Sequence, residues 1–358
     1  MKKHWWDYSV AYQIYPRSFQ DSNGDGIGDI NGITQRLDYL QDLGIKIIWI
    51  SPIFKSPMVD GGYDVADYDT VDEIFGENKD LENLLIEAEK RGIKVLLDMV
   101  LNHTSDQHPW FKEAMKDPLG KAGQRYVIRK GINGNPPNNW RGYFGGSVWE
   151  PIPNTDLYYM HVFHVKQPDL NWENEEVRKD IYDMMNRWCD KGVAGFRIDA
   201  IGNIKKNIIN EHLEPDGIDG LVEARHKFVD QPGIDKFFIE MKNEVFAPND
   251  CFTVAEIPVS NERLKQYIGD DGFFTTVFDF SYTDIDCEIK GDWLSQIPIN
   301  AKELRERLFL FQTETQKIGQ PCPYLENHDQ PRSANKYLKT IGTNDLSKKM
   351  LAVLFLNM

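Results

Sequence analysis

Gly195-Phe196-Arg197-Ile198-Asp199-Ala200 is the stretch from which the fold is read. Alternate side chains of a β-strand point to opposite faces, so Arg197 and Asp199 share one face. An aspartate beside a guanidinium keeps its charge, and an ionised carboxylate fixed at a strand end can serve as a nucleophile. A structural ion pair accounts for the same six residues equally well. The two readings part on how many other strands end in an acid.

Working outward, the segment Glu175 to Lys191 before this stretch reads as a helix and Val193 to Ile198 as a strand. Upstream, Val10 to Tyr15, Ile45 to Ile50 and Lys94 to Asp98 read as strands, with helices at Ile33 to Leu43 and Lys79 to Arg91 closed by Gly44 and Gly92. Downstream, strands are predicted at Phe252 to Glu256, Thr276 to Phe280 and Pro323 to Asn327. Helices are predicted around Ile234 to Phe246, at Asn261 to Ile268, Ala301 to Ile318 and Ser347 to Met358. Strand and helix alternate as in parallel βα units. The alternation lapses between Thr104 and Trp172, a Gly-, Pro-, Asn- and aromatic-rich stretch too long for a plain loop. The expected fold is an α/β TIM (β/α)8 barrel: residues 1–103 its first part, 104–172 a small subdomain inserted after strand three, 173–358 the barrel continued. Seven strands leave an eighth strand and a trailing β-domain to be sought beyond Met358, or in a second chain or fragment that completes the barrel. An open doubly wound sheet is the alternative, without a Gly-rich phosphate fingerprint after the first strand to support it.

Composition narrows the function. A 358-residue chain with a net charge of -15 and no basic face is not a nucleic-acid binder. No apolar run of 18 residues suggests a membrane span, and the N-terminus lacks a signal-type apolar core. Cys189, Cys251, Cys287 and Cys322 stand far apart without a CxxC pair, so reduced thiols, a cytoplasmic setting and neither a zinc site nor a disulfide framework are expected.

Asp98, Asp199, Glu256 and Asp329 each stand at or just past a predicted strand end, where a barrel keeps its active site. Like charges gathered on one rim disfavour ionisation and so point to function. Thr253-Val-Ala before Glu256 is apolar and favours a protonated carboxyl, while Arg197 favours an ionised Asp199. Such a pair performs glycoside hydrolysis, and when configuration is retained the two carboxyls lie about 5 to 5.5 Å apart. His103 and His328, each next to an Asn, offer hydrogen-bond donors to sugar hydroxyls. A second motif, Asp21-Ser-Asn23-Gly-Asp25-Gly26-Ile27-Gly-Asp29, spaces oxygen ligands as a calcium loop does, with Gly32 where an EF-hand has Glu. Ca2+ held by Asp21, Asn23, Asp25, the Ile27 carbonyl and Asp29 is therefore favoured over a plain Asx/Gly turn.

Asp98-Met-Val-Leu-Asn102-His103, Gly195 to Ala200, Thr253-Val-Ala-Glu256 and Glu326-Asn327-His328-Asp329 resemble, in order and spacing, the four signature regions of glycoside hydrolase family 13, the α-amylase superfamily. Tyr12 to Phe19, the Asp21 loop, Gly61-Gly-Tyr63-Asp64 and Gln167-Pro-Asp-Leu-Asn171 further resemble its oligo-1,6-glucosidase and α-glucosidase branch. The resemblance implies Asp199 as nucleophile, Glu256 as acid/base and Asp329 as stabiliser of the oxocarbenium-like state. It also implies that Arg197 keeps Asp199 ionised, His103 and His328 contact the glucose, Tyr63 stacks on it, Asp60 closes the pocket and Asp98 binds or supports. Phe144 and Phe163 fall near the aglycone, and no organic cofactor is implied. In this branch Val after the nucleophile goes with α-1,6 linkages and smaller residues with α-1,4, so Ala200 leans towards α-1,4. Gly202 to Lys206 and Ile257-Pro258 depart from the pattern.

The expectation is a retaining α-glucosidase acting on terminal α-linked glucose of a short oligosaccharide or disaccharide. A transglucosylase or sucrose isomerase would use the same residues, and a trehalose-6-phosphate hydrolase would need a phosphate-binding cluster that is not visible. A non-catalytic barrel relative, similar to the heavy chains of amino-acid transporters, would have lost the acids that this chain retains.

Overall fold

The computed structural model describes residues 4–288, 295–339 and 342–356. The chain divides into two compact units, Met1–Phe252 and Thr253–Met358.

The first unit is built on four parallel strands, Ala11–Ile14, Ile47–Ile50, Lys94–Val100 and Gly195–Asp199. Ala11 pairs with Ile47, Ile47 with Lys94, and Gly195 with Leu96. The last three strands are buried almost throughout, which is why they read as continuous apolar runs. Between them run helices Asn78–Lys90, which buries Leu81, Leu84, Leu85 and Ala88, and Glu175–Asp190, which buries Val177, Ile181, Met184, Met185 and Trp188. Both stripes follow the 3.6-residue period. Asn174 caps the second helix by accepting from the Glu176 amide.

Several boundaries differ from the sequence reading. The helix expected over Ile33 to Leu43 is two short helices, Ile30–Gln35 and Leu37–Asp42, broken at Arg36. The third strand runs on to Val100, so Asp98 lies within it and not at its end. The helix expected around Ile234 to Phe246 is an α-helix, Asp235–Met241, continued by a π-turn, Lys242–Phe246.

Residues 104–172 carry a three-stranded antiparallel sheet of Ile128–Lys130, Trp149–Pro151 and Leu157–Met160. The sequence reading missed a second excursion after the Gly195–Asp199 strand. Val222–Glu223 pairs in parallel with Trp140–Arg141, and Ala224 and Phe228 join Val127, Trp140, Val148, Trp149, Met160 and Val162 in one apolar cluster. Asn139 ties the two stretches, accepting from the Leu213 amide and donating to the carbonyls of Leu213 and Gly220.

The second unit begins within the strand Phe252–Ala255, whose Val254 pairs in parallel with Thr276 of the short strand Thr276–Val277. The strand predicted over Pro323 to Asn327 is not formed: this segment reaches Phe278 through a single parallel bridge at Cys322. Its main chain turns instead through Tyr324, whose amide donates to the Tyr282 hydroxyl while that hydroxyl donates to the Tyr324 carbonyl. The helix expected at Asn261 to Ile268 shrinks to Leu264–Tyr267, whereas Ala301–Thr315 forms much as predicted, capped by Asn300. The terminal helix is Asp345–Leu356, and the last two residues of its predicted span lie outside the described residues.

Gly195 opens its strand at φ 153°, and a Cβ there would fall 1.9 Å from the Phe252 carbonyl oxygen. Gly195→Ala is therefore expected to force the main chain aside and lower unfolding free energy by about 3 kcal/mol, measured by urea denaturation with unchanged m-value.

Candidate active site

The site grows from one buried guanidinium. Arg197 and Asp98 are direct partners in the parallel register of adjacent strands, so both side chains rise on one face. Arg197 Nη1 donates to Asp98 Oδ1 and to Asp199 Oδ1, each at 2.7 Å. The alternation that put Arg197 and Asp199 on one face thus holds, and Asp98 enters from the neighbouring strand as a second carboxylate on the same nitrogen. Asp98 Oδ2 accepts from Trp49 Nε1 and from the Tyr63 hydroxyl, both at 3.0 Å. The guanidinium lies 5.1 Å from the Trp49 ring centroid and 5.6 Å from that of Tyr63, within cation–π range. Asp199 is 8% exposed, against 1% for Asp98 and for Arg197.

Ala200, next in the chain, has φ 41° and ψ 35°, the left-handed region that a residue with a Cβ enters at a cost. It ends the strand at Asp199 and turns the chain into Ile201–Asn203.

The loop that delivers Tyr63 and Asp60 is organised by a wholly buried Asp64. Its Oδ1 accepts from Ser56 Oγ and the Asp60 amide, and its Oδ2 from the Val59 amide. Asp60 Oδ2 accepts from the Gln167 amide at 2.8 Å, and desolvation raises the Asp60 carboxyl above its ordinary value against that bond.

His103 is buried beside them. Its Nε2 sits 3.1 Å from the Tyr63 carbonyl and its Nδ1 3.2 Å from the Asn102 amide nitrogen. A proton on Nε2 serves the Tyr63 carbonyl and leaves Nδ1 to accept from Asn102, with the Gln167 amide nitrogen also 3.2 Å from Nε2. Burial lowers the imidazole to about 3, so His103 is neutral through the physiological range. Its ring lies 5.2 Å from Phe163, which stacks on Tyr143 at 4.8 Å and meets Phe144 edge-on at 6.0 Å. Phe144, Trp149, His161, Phe163 and His164 border a cavity of about 330 Å³ in the inserted region.

Sequence reasoning missed what stands behind His103. Lys206 Nζ donates to Asn102 Oδ1 at 2.7 Å and lies 3.3 Å from Asp169 Oδ2, and Asp169 Oδ1 accepts from the Asn102 amide. All three are buried. Desolvation pushes Lys206 down and Asp169 up, each opposed by the other's charge. Lys206, next to Lys205 in a polar stretch, carried no local signal of burial, since Asp169 and Asn102 lie far away in sequence.

In the second unit, Glu256 follows its strand half-buried, and Asp329 is exposed with its amide donating to Asn327 Oδ1. His328 Nε2 is 3.2 Å from Asp329 Oδ2. Burial first, then the carboxylates of Glu256 and Asp329, raise the Tyr324 hydroxyl.

In the Asp21 loop, Asp21 accepts from the amides of Asn23, Gly24 and Gly26, which hold its carboxyl below the usual range. Asp25 accepts from the Ile27 amide, and Asp29 from the amides of Ser22 and Gly32. Among the described residues no three Asp, Glu, His or Cys side chains form a metal-binding group. The donors are nonetheless all hard oxygens, a set that fits Ca2+ and not a soft metal.

A family model described as the α-amylase catalytic domain matches residues 13–358. The chain belongs to this family, glycoside hydrolase family 13. It is 44% identical over 354 residues to the oligo-1,6-glucosidase of Bacillus cereus, covering 98% of this chain and 63% of that protein. Among solved structures it resembles the trehalose-6-phosphate hydrolase of Bacillus licheniformis, with a TM-score of 0.87, 40% identity and coverage of 94% and 60% of the two chains. A trehalulose synthase MutB variant follows at a TM-score of 0.85 and 36% identity, with 93% and 60% covered. The chain spans about three fifths of the length of these relatives. The parallel strand order fits the TIM-barrel fold of the α-amylase catalytic domain, and no helix among the described residues is long and apolar enough to cross a membrane.

Replacing Lys206 by Met leaves the Asp169 charge buried without its counter-ion, which is expected to cost about 3 to 5 kcal/mol. The double variant Lys206→Met/Asp169→Asn removes both charges, and most of that loss should return in chemical denaturation.

Proposed function

We propose that the chain is the catalytic part of a retaining α-glucosidase that removes terminal α-linked glucose from short α-glucosides. The observation that carries this reading is the Arg197 guanidinium shared by Asp98 and Asp199 at 2.7 Å, since a cation so placed favours an ionised Asp199. Asp199 would attack the anomeric carbon while Glu256 gives its proton to the departing oxygen. Glu256 would then take a proton from water, whose oxygen displaces Asp199 with net retention. Asp329 would stabilise the oxocarbenium-like charge. Tyr63, His103 and His328 would position the glucose, with Asp60 closing over it. Phe144 and Phe163 would lie towards the aglycone.

Ala200 leans towards α-1,4 linkages, while the oligo-1,6-glucosidase relatives support α-1,6. A second reading, a transglucosylase or sucrose isomerase, draws on the likeness to the trehalulose synthase. The two differ in whether water or a sugar hydroxyl intercepts the glycosyl-enzyme. The four free cysteines suit a cytoplasmic setting.

Turnover of maltose, isomaltose and sucrose by the intact protein decides between them. Free glucose is expected from the α-glucosidase, whereas isomaltulose, trehalulose or longer oligosaccharides as main products would replace it by the second reading. Asp199→Asn should lower kcat at least about 1,000-fold, and wild-type turnover in that variant would remove Asp199 from the mechanism.

The Asp21 loop would hold Ca2+ through Asp21, Asn23, Asp25, the Ile27 carbonyl and Asp29, and the ion would brace the turn ahead of helix Ile30–Gln35. Calcium at 100 times its Kd should then add about 2.7 kcal/mol to stability. A rise in Tm on adding calcium to EGTA-treated protein, absent in Asp21→Asn, is the expected result.

A further inference from the structure

Cys189 and Cys251 stand 62 positions apart, yet their Sγ atoms lie 3.6 Å from each other. Cys189 lies in the last turn of helix Glu175–Asp190, where its carbonyl accepts from the Gly192 amide. Cys251 immediately precedes Phe252, and its own amide donates to the Phe246 carbonyl at 3.0 Å. Each sulfur is thus presented by anchored main chain, and the two are in contact.

We propose that Cys189 and Cys251 form a dithiol modification site that closes reversibly to an intramolecular disulfide when it meets a peroxide. A disulfide needs its sulfurs about 2.05 Å apart, so closure asks the two side chains to rotate towards each other and requires no new neighbour. The pair is asymmetric. Cys189 is partly exposed and Cys251 buried, which makes Cys189 the sulfur that an oxidant reaches and Cys251 the one that resolves. The hydrogen bond it shares with Cys189 and its burial push the Cys251 thiol up, so Cys251 is not the sulfur that meets the oxidant first.

With hydrogen peroxide the step balances. The Cys189 sulfur attacks one peroxide oxygen, the O–O bond breaks, and sulfenic acid and one water form. The Cys251 sulfur then attacks the Cys189 sulfur, the S–O bond breaks, the S–S bond forms and a second water departs. The dithiol loses two electrons, and its two protons end in the two waters. Burial of the Cys322 thiol, itself on a partly exposed residue, pushes it up to about 12, and Cys287 Sγ lies 4.0 Å from Asp286 Oδ1.

The bond would tie the end of helix Glu175–Asp190 to the residue before Phe252, spanning the Gly195–Asp199 strand in sequence. Cys189 lies ahead of that strand's first residue and Asp199 is its last, so the cross-link sits away from the end that carries the carboxylate. Its main effect is a less free denatured chain and hence a more stable fold.

The test treats the reduced protein with hydrogen peroxide and follows it by intact mass, non-reducing peptide mapping, thiol titration and thermal unfolding. The expected result is loss of two hydrogens in mass, one linked peptide joining Cys189 to Cys251, two of the four thiols consumed, and a Tm raised by several degrees and restored by dithiothreitol. Cys189→Ser should abolish the linked peptide and Cys287→Ser should keep it. Sulfinic acid at Cys189 without the mass loss, or a cross-link formed through Cys287 or Cys322, would overturn the proposal, and the wild-type measurement stands even if a variant fails to fold.

Discussion

A guanidinium taken out of water has to be met by anions, and here a single nitrogen of Arg197 meets two. Asp98 comes from the neighbouring strand at the same level, and Asp199 from two residues further along. Neither aspartate could be buried so closely with the other were the cation absent. The remaining oxygen of Asp98 then fixes Trp49 and Tyr63, so strand Ile47–Ile50 and the loop through Gly61 and Gly62 take their positions from the same charge. Sheet register, the aromatic walls and the exposed edge of Asp199 all depend on one ion triad.

Much of this was legible in the residues. The two-residue period alone put Arg197 with Asp199, and the helices Asn78–Lys90, closed by Gly92, and Glu175–Asp190 were expected within a residue of their bounds. What stayed hidden was what depends on distant partners. Asp98 reads as a strand end because an acid usually stops an apolar run, but its charge is answered by Arg197 and the strand continues to Val100. The Pro323 to Asn327 run has strand-like composition, yet Tyr324 spends its main-chain polar groups on the Tyr282 hydroxyl and leaves a single bridge. Residues 207–229 carry no periodicity to predict them, since their order comes from Trp140 and Asn139 in the inserted region.

The same holds for the candidate site. His103 and Asp60 could be named from their motifs, whereas their supports could not. Gln167 and Asp169 act across long stretches of chain, and Lys206 is a charge in what looks like an ordinary exposed turn. A buried lysine–aspartate pair gains little net stability over apolar packing of equal volume. Its specific effect is geometric: it fixes Asn102, which in turn holds the ring of His103 in one tautomer.

Ala200 joins two demands that are usually separate. On the proposed reading it follows the attacking carboxylate, where bulk would bear on which bond fits, and its backbone sits in the left-handed region at φ 41°. A branched side chain suits that conformation worse than alanine does, because the second substituent on Cβ crowds the following carbonyl. Selectivity and conformational ease therefore pull on one atom, Cβ of residue 200. A lineage that enlarges residue 200 must find compensating stability elsewhere in the fold, so this position changes only as fast as the fold can absorb the strain.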